Sequence, residues 1–181
     1  GSTAGERIAT ALHVLGAVAA LTGTVLSLIA APRAVLNMAW GLPLGSLRFE
    51  IDGLSAAFLP PLILVPALGS MYGLRYWEQR EHPTSGRKLR AFYGALAASL
   101  ILLTIARDGV LFLLSWEGMA LSAFFLVTTD DQDPEAREAG WVYFVATHVG
   151  TLALFGFFAA TRALTGSFGF DPIPEGAAAA G

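Results

Sequence analysis

The sequence predicts an all-α membrane protein, a polytopic bundle of about five transmembrane helices. Hydrophobic residues make up 55% of the 181 residues, charged residues only 14%, and the mean hydropathy is +0.60. A soluble domain carries about a quarter charged residues, so this chain lacks the polar surface that a water-soluble globule needs. Its apolar residues are also grouped into long stretches, and none shows the sustained polar–apolar alternation that favours strands.

The apolar stretches define the predicted spans. A helix needs about 20 apolar residues to cross the core of a bilayer, and four of the five stretches are long enough, whereas the third is short. Together they predict one helical domain over residues 1–170, followed by a flexible or truncated C-terminal segment at 171–181. The spans lie near residues 8–31, 54–76, 89–106, 110–129 and 141–163.

Breaks in the pattern separate these spans. Pro32 follows the first, Asp52 and Gly53 precede the second, and the acidic segment 130–138 separates the fourth from the fifth. The third and fourth are divided by a tight Arg107-Asp108-Gly109 break. Asp52 and Asp108 each precede a span, as helix N-caps do, and Arg107 is interpreted as an interfacial anchor.

Three prolines interrupt the second span. Proline removes a backbone donor and breaks soluble helices, but membrane helices tolerate it where neighbouring groups satisfy the freed carbonyls. The sequence therefore predicts a kinked or late-starting helix here. The prolines are Pro60, Pro61 and Pro66.

The distribution of Lys and Arg predicts the orientation. Loops on the cytoplasmic side of membrane proteins carry the excess of these residues. Placing the basic loop between the second and third spans inside puts seven of the 11 basic residues on that side and four on the other. The N-terminus of the chain is therefore predicted to be cytoplasmic, and the protein is predicted to lie in the inner (plasma) membrane.

Glu117 is the first candidate functional residue, because it is the one charged residue within the 110–129 span. An acidic side chain at the centre of a membrane helix costs about 2.5–3.5 kcal/mol on insertion scales, and such residues usually mark ion or proton pathways. The residues one turn away on the same helix are apolar, so the partner must come from another helix or from water. The alternative is a structural carboxylate that bonds neighbouring helices.

His148, in the fifth span, is the second candidate. A histidine can carry protons near neutral pH, although it can equally serve as an inter-helix hydrogen-bonding group. Counted from the predicted span ends, it lies roughly 10 Å from Glu117 along the membrane normal. That spacing predicts contact through a few waters only. His13, in the first span, is interpreted as an interfacial or packing residue.

The sequence shows no motif for a metal, a cofactor, a catalytic centre or nucleic acid. The chain has no cysteine, which excludes thiolate metal sites and iron–sulfur clusters on it. Neither a phosphate-binding loop, a nucleophile motif nor a metal-ligand spacing is present, and no basic stripe points to nucleic acid. We therefore expect no active site, cofactor or metal on this chain, and we expect the lipid bilayer to be its surroundings.

Three motifs in order resemble the antiporter-like membrane subunits of respiratory complex I and group 4 membrane-bound hydrogenases. Residues 49–58 (FEIDGLSAAF) are similar to the entry of the third helix in that family. Residues 108–122 (DGVLFLLSWEGMALS) resemble its fifth helix, which carries a Trp-Glu motif, and residues 138–150 (EAGWVYFVATHVG) resemble its sixth. The resemblance covers roughly residues 49–170 and is closest to hydrogenase-4 component B and formate hydrogenlyase subunit 3.

The resemblance implies a larger fold of about fourteen helices with two inverted repeats, of which this chain would supply the second to the sixth. Members move protons or sodium ions, coupled to electron transfer elsewhere in a multisubunit complex. The intramembrane Glu, here Glu117, pairs in the family with a Lys of the seventh helix. The chain's one lysine, Lys88, lies outside the spans, so the Lys partner is expected on helices beyond residue 181.

Three functions follow as hypotheses. The first is a proton- or cation-translocating subunit of a complex I-like quinone oxidoreductase or membrane-bound hydrogenase, in which Glu117 and His148 relay protons and partner subunits carry the redox chemistry. The second is a subunit of a monovalent cation/proton antiporter without a redox partner. The third is a structural membrane scaffold, in which Glu117 bonds neighbouring helices.

Overall fold

Within the residues described by the computed structural model, which are 3–29, 35–39, 46–78, 80–82 and 85–170, the chain forms five long helices and one hairpin. All five helices are long and apolar enough to cross a membrane. The predicted all-α transmembrane bundle is therefore confirmed. The helices are α1 (Thr3–Ile29), α2 (Gly53–Tyr76), α3 (Ser85–Ile105), α4 (Gly109–Val127) and α5 (Pro134–Thr165), and the strands are β1 (Val35–Ala39) and β2 (Ser46–Glu50).

Asp side chains fix where three of the helices begin. Asp52 accepts a hydrogen bond from the Ser55 N–H at 2.7 Å, and Asp108 accepts from the Val110 N–H at 2.8 Å. Each satisfies a donor that the first turn of a helix leaves free. Asp133 caps α5 in the same way. The two capping roles predicted for Asp52 and Asp108 are thus confirmed.

Helix α5 begins earlier than the sequence analysis expected. The predicted span starts at residue 141, whereas the helix starts at Pro134, inside the acidic segment that separates the fourth and fifth spans. The reason is local: Asp133 supplies the cap, and proline is favoured in the first helical turn, where its missing N–H has no partner to lose. This early start changes the depth of every residue on α5.

Helix α2 runs through its three prolines without a late start, since it begins at Gly53. The prolines remove backbone donors but leave the helix continuous. Helix α3 begins at Ser85, four residues before the predicted span, so its first two turns carry Arg87, Lys88 and Arg90.

A two-stranded hairpin was not predicted. Strands β1 and β2 pair antiparallel, with Leu36 opposite Phe49 and Met38 opposite Leu47. These cross-strand apolar pairs are the units that stabilise a short ribbon. The hairpin is tied to the α3–α4 turn, because the Arg107 N–H donates to the Arg48 carbonyl at 2.9 Å. We call this side of the bundle the hairpin end.

A buried ion pair joins α1 to α3 at the opposite end. Arg90 donates from Nη2 to Glu6 Oε1, and its side chain and that of Glu6 are 14% and 7% exposed. Arg90 also donates to the Gly86 carbonyl at 2.6 Å and to the Trp77 carbonyl at 3.3 Å, the latter at the end of α2. One guanidinium therefore connects three helices.

Close approach of glycines sets the packing of α4 between α3 and α5. A Cβ atom at Gly118 would lie 2.7 Å from Ser99 Oγ on α3, and one at Gly109 would lie 2.6 Å from Phe158 Cδ1 on α5. A Cβ at Gly140 would overlap Thr128, just beyond the other end of α4. Small residues at such crossings let backbones approach in membrane bundles.

Candidate proton-transfer site

The candidate site lies between the middle of α4 and the middle of α5. The two helices are antiparallel, and their glycine contacts fix the register: Gly140 lies against Phe124 and Thr128, and Gly109 lies against Phe158. Glu117 and His148 lie between these two contacts, at the same depth in the bundle.

Glu117 and His148 form a direct pair. Oε2 of Glu117 lies 3.6 Å from Nε2 of His148. The expected separation of roughly 10 Å, bridged by waters alone, was therefore wrong. The expected distance was counted from a fifth span that starts at residue 141, whereas the helix starts at Pro134. Because the helix starts earlier, His148 lies deeper in the bundle.

The ring of His148 is held by its own helix. Nδ1 lies 2.8 Å from the Phe144 carbonyl, and the Phe144 ring centroid lies 4.0 Å from that of the imidazole. A carbonyl only accepts hydrogen bonds, so Nδ1 carries a proton and donates. Nε2 is then the nitrogen that gains or loses a proton, and it is the nitrogen that faces Glu117.

This arrangement can hold a proton on either side chain. The proton can sit on Nε2, giving an imidazolium beside a carboxylate, or on Glu117, giving two neutral groups. At 3.6 Å the two atoms are slightly beyond hydrogen-bond distance, so transfer needs a small side-chain movement or one bridging water. The His148 and Glu117 side chains are 36% and 29% exposed, so neither is fully covered by other residues of this chain.

The second carboxylate oxygen of Glu117 has no partner among the residues that the structure describes. Oε1 is buried and accepts no hydrogen bond there. Lys88 does not supply one, because its Nζ lies 3.8 Å from Asp131 Oδ2, at the end of the bundle opposite the hairpin. Among the described residues, His148 therefore approaches one oxygen of the Glu117 carboxylate and no group bonds to the other.

No role was assigned from the sequence to two residues beside the pair, Trp116 of the Trp-Glu motif and Thr151. Trp116 Nε1 donates to Thr151 Oγ1 at 3.1 Å, joining α4 to α5 next to Glu117. The spacing in the sequence could have indicated the role of Thr151, because a residue three positions after His148 lies on the same face of the helix.

His13 lies apart from this pair. Its Nδ1 lies 3.1 Å from the Ala9 carbonyl, and its ring lies against Gly94 and 6.0 Å from the ring of Tyr93. These contacts between α1 and α3 agree with its interpretation as a packing residue.

A second polar cluster lies at the hairpin end. Arg107 Nη2 lies 2.7 Å from Asp52 Oδ2 and donates to Ser55 Oγ at 2.8 Å. Ser55 in turn donates to the Thr104 carbonyl at 2.9 Å. Arg107, interpreted from the sequence as an interfacial anchor, therefore links the start of α2 to the end of α3. The hydrogen bond from the Ser55 N–H, with help from Arg107, holds the pKa of Asp52 below its ordinary value of 3.8.

Replacement of Asp52 by Asn tests this cluster through its pH dependence. Asn still caps a helix but loses the charge, so the variant should melt at a lower temperature than the wild type at neutral pH. A lowered pKa in the folded state stabilises above the unfolded value and loses that effect as the pH falls through the folded value. The difference in melting temperature should therefore shrink below pH 3.8. A difference that is independent of pH would contradict an electrostatic role for Asp52.

The fold and the three motifs are similar to those of antiporter-like membrane proteins, and comparison with known proteins points to the same group. Residues 106–179 match the family described as NADH:quinone oxidoreductase/Mrp antiporter, TM. The chain is related to the antiporter-like membrane subunits of the complex I, hydrogenase and Mrp group, as its three motifs predicted.

The relatives include named components of a hydrogenase and of an NADH-quinone oxidoreductase. Hydrogenase-4 component B of Escherichia coli is 30% identical over 60% of this chain and 16% of its own length. NADH-quinone oxidoreductase subunit L of Mycobacterium tuberculosis is 27% identical over 81% of this chain and 23% of its own length. An uncharacterized protein of the same organism is 32% identical over 84% of this chain and 22% of its length. The chain thus spans a quarter or less of the length of these relatives.

A solved structure shares the fold. The structure of the Mrp complex from Dietzia sp. DQ12-45-1b superimposes with a TM-score of 0.73, at 24% identity, over 93% of this chain and 19% of that chain. The multi-pass architecture therefore follows from the helices and from this neighbour together.

Proposed function

We propose that this chain is part of a proton- or cation-translocating membrane subunit of a complex I-like quinone oxidoreductase or a membrane-bound hydrogenase. In this proposal Glu117 and His148 relay protons near the middle of the membrane. The observation that supports it most is the 3.6 Å approach of the Glu117 carboxylate to His148 Nε2. A carboxyl group and an imidazole that approach each other on facing helices within an apolar bundle have the chemistry that a relay requires.

The proposal also assigns the unpaired oxygen of Glu117. A Lys on a helix outside this chain would approach Oε1, as the family resemblance implies, while His148 faces Oε2. A cation there would favour the carboxylate form of Glu117 and the release of its proton to His148. Movement of that cation would then bias the direction of transfer.

Redox chemistry in this proposal belongs to partner subunits. Two of the relatives are named as a component of hydrogenase-4 and a subunit of NADH-quinone oxidoreductase. By analogy, the chain works in the plasma membrane beside other membrane subunits, with its N-terminus on the cytoplasmic side. The proposal requires no catalytic centre and no cofactor on this chain.

The alternative is a subunit of a multisubunit cation/proton antiporter, and the fold shared with the Mrp complex favours it. The same relay would serve both functions. They differ in the energy source, which is electron transfer in the first and a cation gradient in the second.

Proteoliposomes that hold the complete complex separate the two functions. Proton movement is followed with a pH-sensitive dye, either with electron donor and acceptor present or with a sodium gradient alone. The leading proposal expects proton movement only with the redox substrates. Movement driven by the sodium gradient alone would support the antiporter instead, and no movement in either condition would contradict both and favour a structural scaffold.

A further inference from the structure

The hydrogen bond between Trp116 and Thr151 lies directly beside the candidate relay. Trp116 precedes Glu117 on α4, and Thr151 follows His148 by one turn on α5. Trp116 Nε1 donates to Thr151 Oγ1 at 3.1 Å. The bond therefore crosses the same helix interface at the same depth as the Glu117–His148 pair.

Both partners of this bond are held in place. Thr151 is only 4% exposed, and its hydroxyl donates to the Thr147 carbonyl at 3.1 Å while it accepts from the indole. The Trp116 ring is stacked with that of Phe112, with centroids 6.3 Å apart. A hydroxyl with its proton already engaged presents a lone pair in a defined direction, so the indole has one preferred position.

The other close contacts between α4 and α5 lie away from the middle of the interface. Gly109 meets Phe158 at the start of α4, and Gly140 meets Thr128 beyond its end. These contacts hold the two helices together, and Gly118 against Ser99 restrains α4 on the side that faces α3. The Trp116–Thr151 bond adds a directional contact between α4 and α5 within one turn of both Glu117 and His148, because an indole can reach a given hydroxyl over only a narrow range of rotation.

We infer that Trp116 and Thr151 are positioning residues, which fix the rotation of α4 against α5 and so keep Glu117 within transfer distance of His148. The inference rests on the proposed relay, but its structural part can be tested without it. Neither residue exchanges a proton itself. Removal of the bond should lengthen the Glu117–His148 distance and slow translocation, while the helices remain assembled.

The test compares Thr151→Val with Thr151→Ser in the complete complex. Val keeps the branched shape of Thr and removes the hydroxyl, whereas Ser keeps the hydroxyl. Thr161→Val is the matched control, because Thr161 lies on the same helix, is less buried than Thr151, and its hydroxyl donates to the Phe157 carbonyl of its own helix at 2.9 Å. Trp116→Phe removes the donor from the other side and serves as the second variant.

Two readouts are measured on each variant. Solid-state NMR gives the dipolar coupling between the labelled carboxyl carbon of Glu117 and labelled Nε2 of His148, with Glu117→Gln as the blank. Dye quenching in proteoliposomes gives the rate of proton translocation as a function of pH. Loss of one inter-helix hydrogen bond in a membrane protein corresponds to a change in equilibrium of roughly three- to tenfold, so a rate loss of that size is expected.

The inference is supported if Thr151→Val and Trp116→Phe weaken the coupling and lower the rate, while Thr151→Ser and Thr161→Val do neither. An unchanged coupling in Thr151→Val and Trp116→Phe would overturn it, whatever the rates. Failure of both variants to assemble would also count against it, since the bond would then hold the bundle and not the pair. If the coupling weakens but Glu117→Gln leaves translocation intact, the positioning role stands and the proposed relay fails.

Discussion

Replacement of Glu117 by Gln is expected to lower proton translocation by about 100-fold, the lower end of what a positioned acid–base group contributes. Gln preserves the size of the side chain and can still lie near His148, which is 3.6 Å away in the wild type. It cannot take up or release a proton. Electron transfer in the complex should fall much less than translocation, because the redox centres lie on other subunits in the proposed function.

Glu138→Gln is the matched control for this experiment. Glu138 is exposed near the start of α5, so the same chemical change there should leave both rates close to those of the wild type. Proton translocation per electron is the quantity to measure. An unchanged ratio in Glu117→Gln would remove Glu117 from the proton path and favour its interpretation as an inter-helix contact.

Replacement of Arg90 by Leu is expected to destabilise the protein by about 3–5 kcal/mol, the usual effect of removing one partner of a buried ion pair. Arg90 and Glu6 are 14% and 7% exposed, so the change leaves a buried carboxylate without this cation. It also removes the hydrogen bonds to the Gly86 and Trp77 carbonyls. Thermal unfolding of the purified protein in detergent measures the effect.

The control for Arg90 is Arg87→Leu on the exposed surface of the same helix, which should change the stability little. The double replacement of Glu6 and Arg90 by Leu should recover most of the lost stability, because apolar residues often replace a buried pair without cost. A double variant that is as unstable as Arg90→Leu would mean that the hydrogen bonds of Arg90 matter more than its charge.

Hydropathy alone predicted the five helices, since each span has to satisfy the same length and composition to cross a bilayer. Glu117 was selected as a candidate because a lone carboxylate within an apolar helix is costly and so indicates a function, and its role stays a prediction. The caps of α2 and α4 followed from Asp52 and Asp108. These features depend on short stretches of sequence and therefore can be read from it.

The Glu117–His148 contact depends on where α5 begins, and hydropathy does not locate that point. The polar first turns of α5 extend beyond the apolar stretch, so the span predicted from residue 141 misses the start at Pro134. The Asp133-Pro134 capping signal would have located it. The Trp116–Thr151 bond depends further on the rotation of two helices, which neither propensity nor hydropathy determines.

The hairpin was missed for a different reason. Its strands are only Val35–Ala39 and Ser46–Glu50, too short for alternation to be clear beside spans of far greater hydropathy. The Arg90–Glu6 pair was missed because the two residues are 84 positions apart, and neither this separation along the chain nor hydropathy indicates such a contact. Long-range partners of this kind become visible only when the helices are placed together.

A double-mutant cycle on Glu117 and His148 tests the relay most directly. Proton translocation is measured in the complete complex for Glu117→Gln, His148→Gln and the double variant, at the same protein content in each vesicle preparation. If the two side chains pass one proton between them, removing the second after the first should change little, so the double variant should be no slower than Glu117→Gln alone. If the two effects simply add as free energies, the residues act independently and the proposed relay between them is wrong.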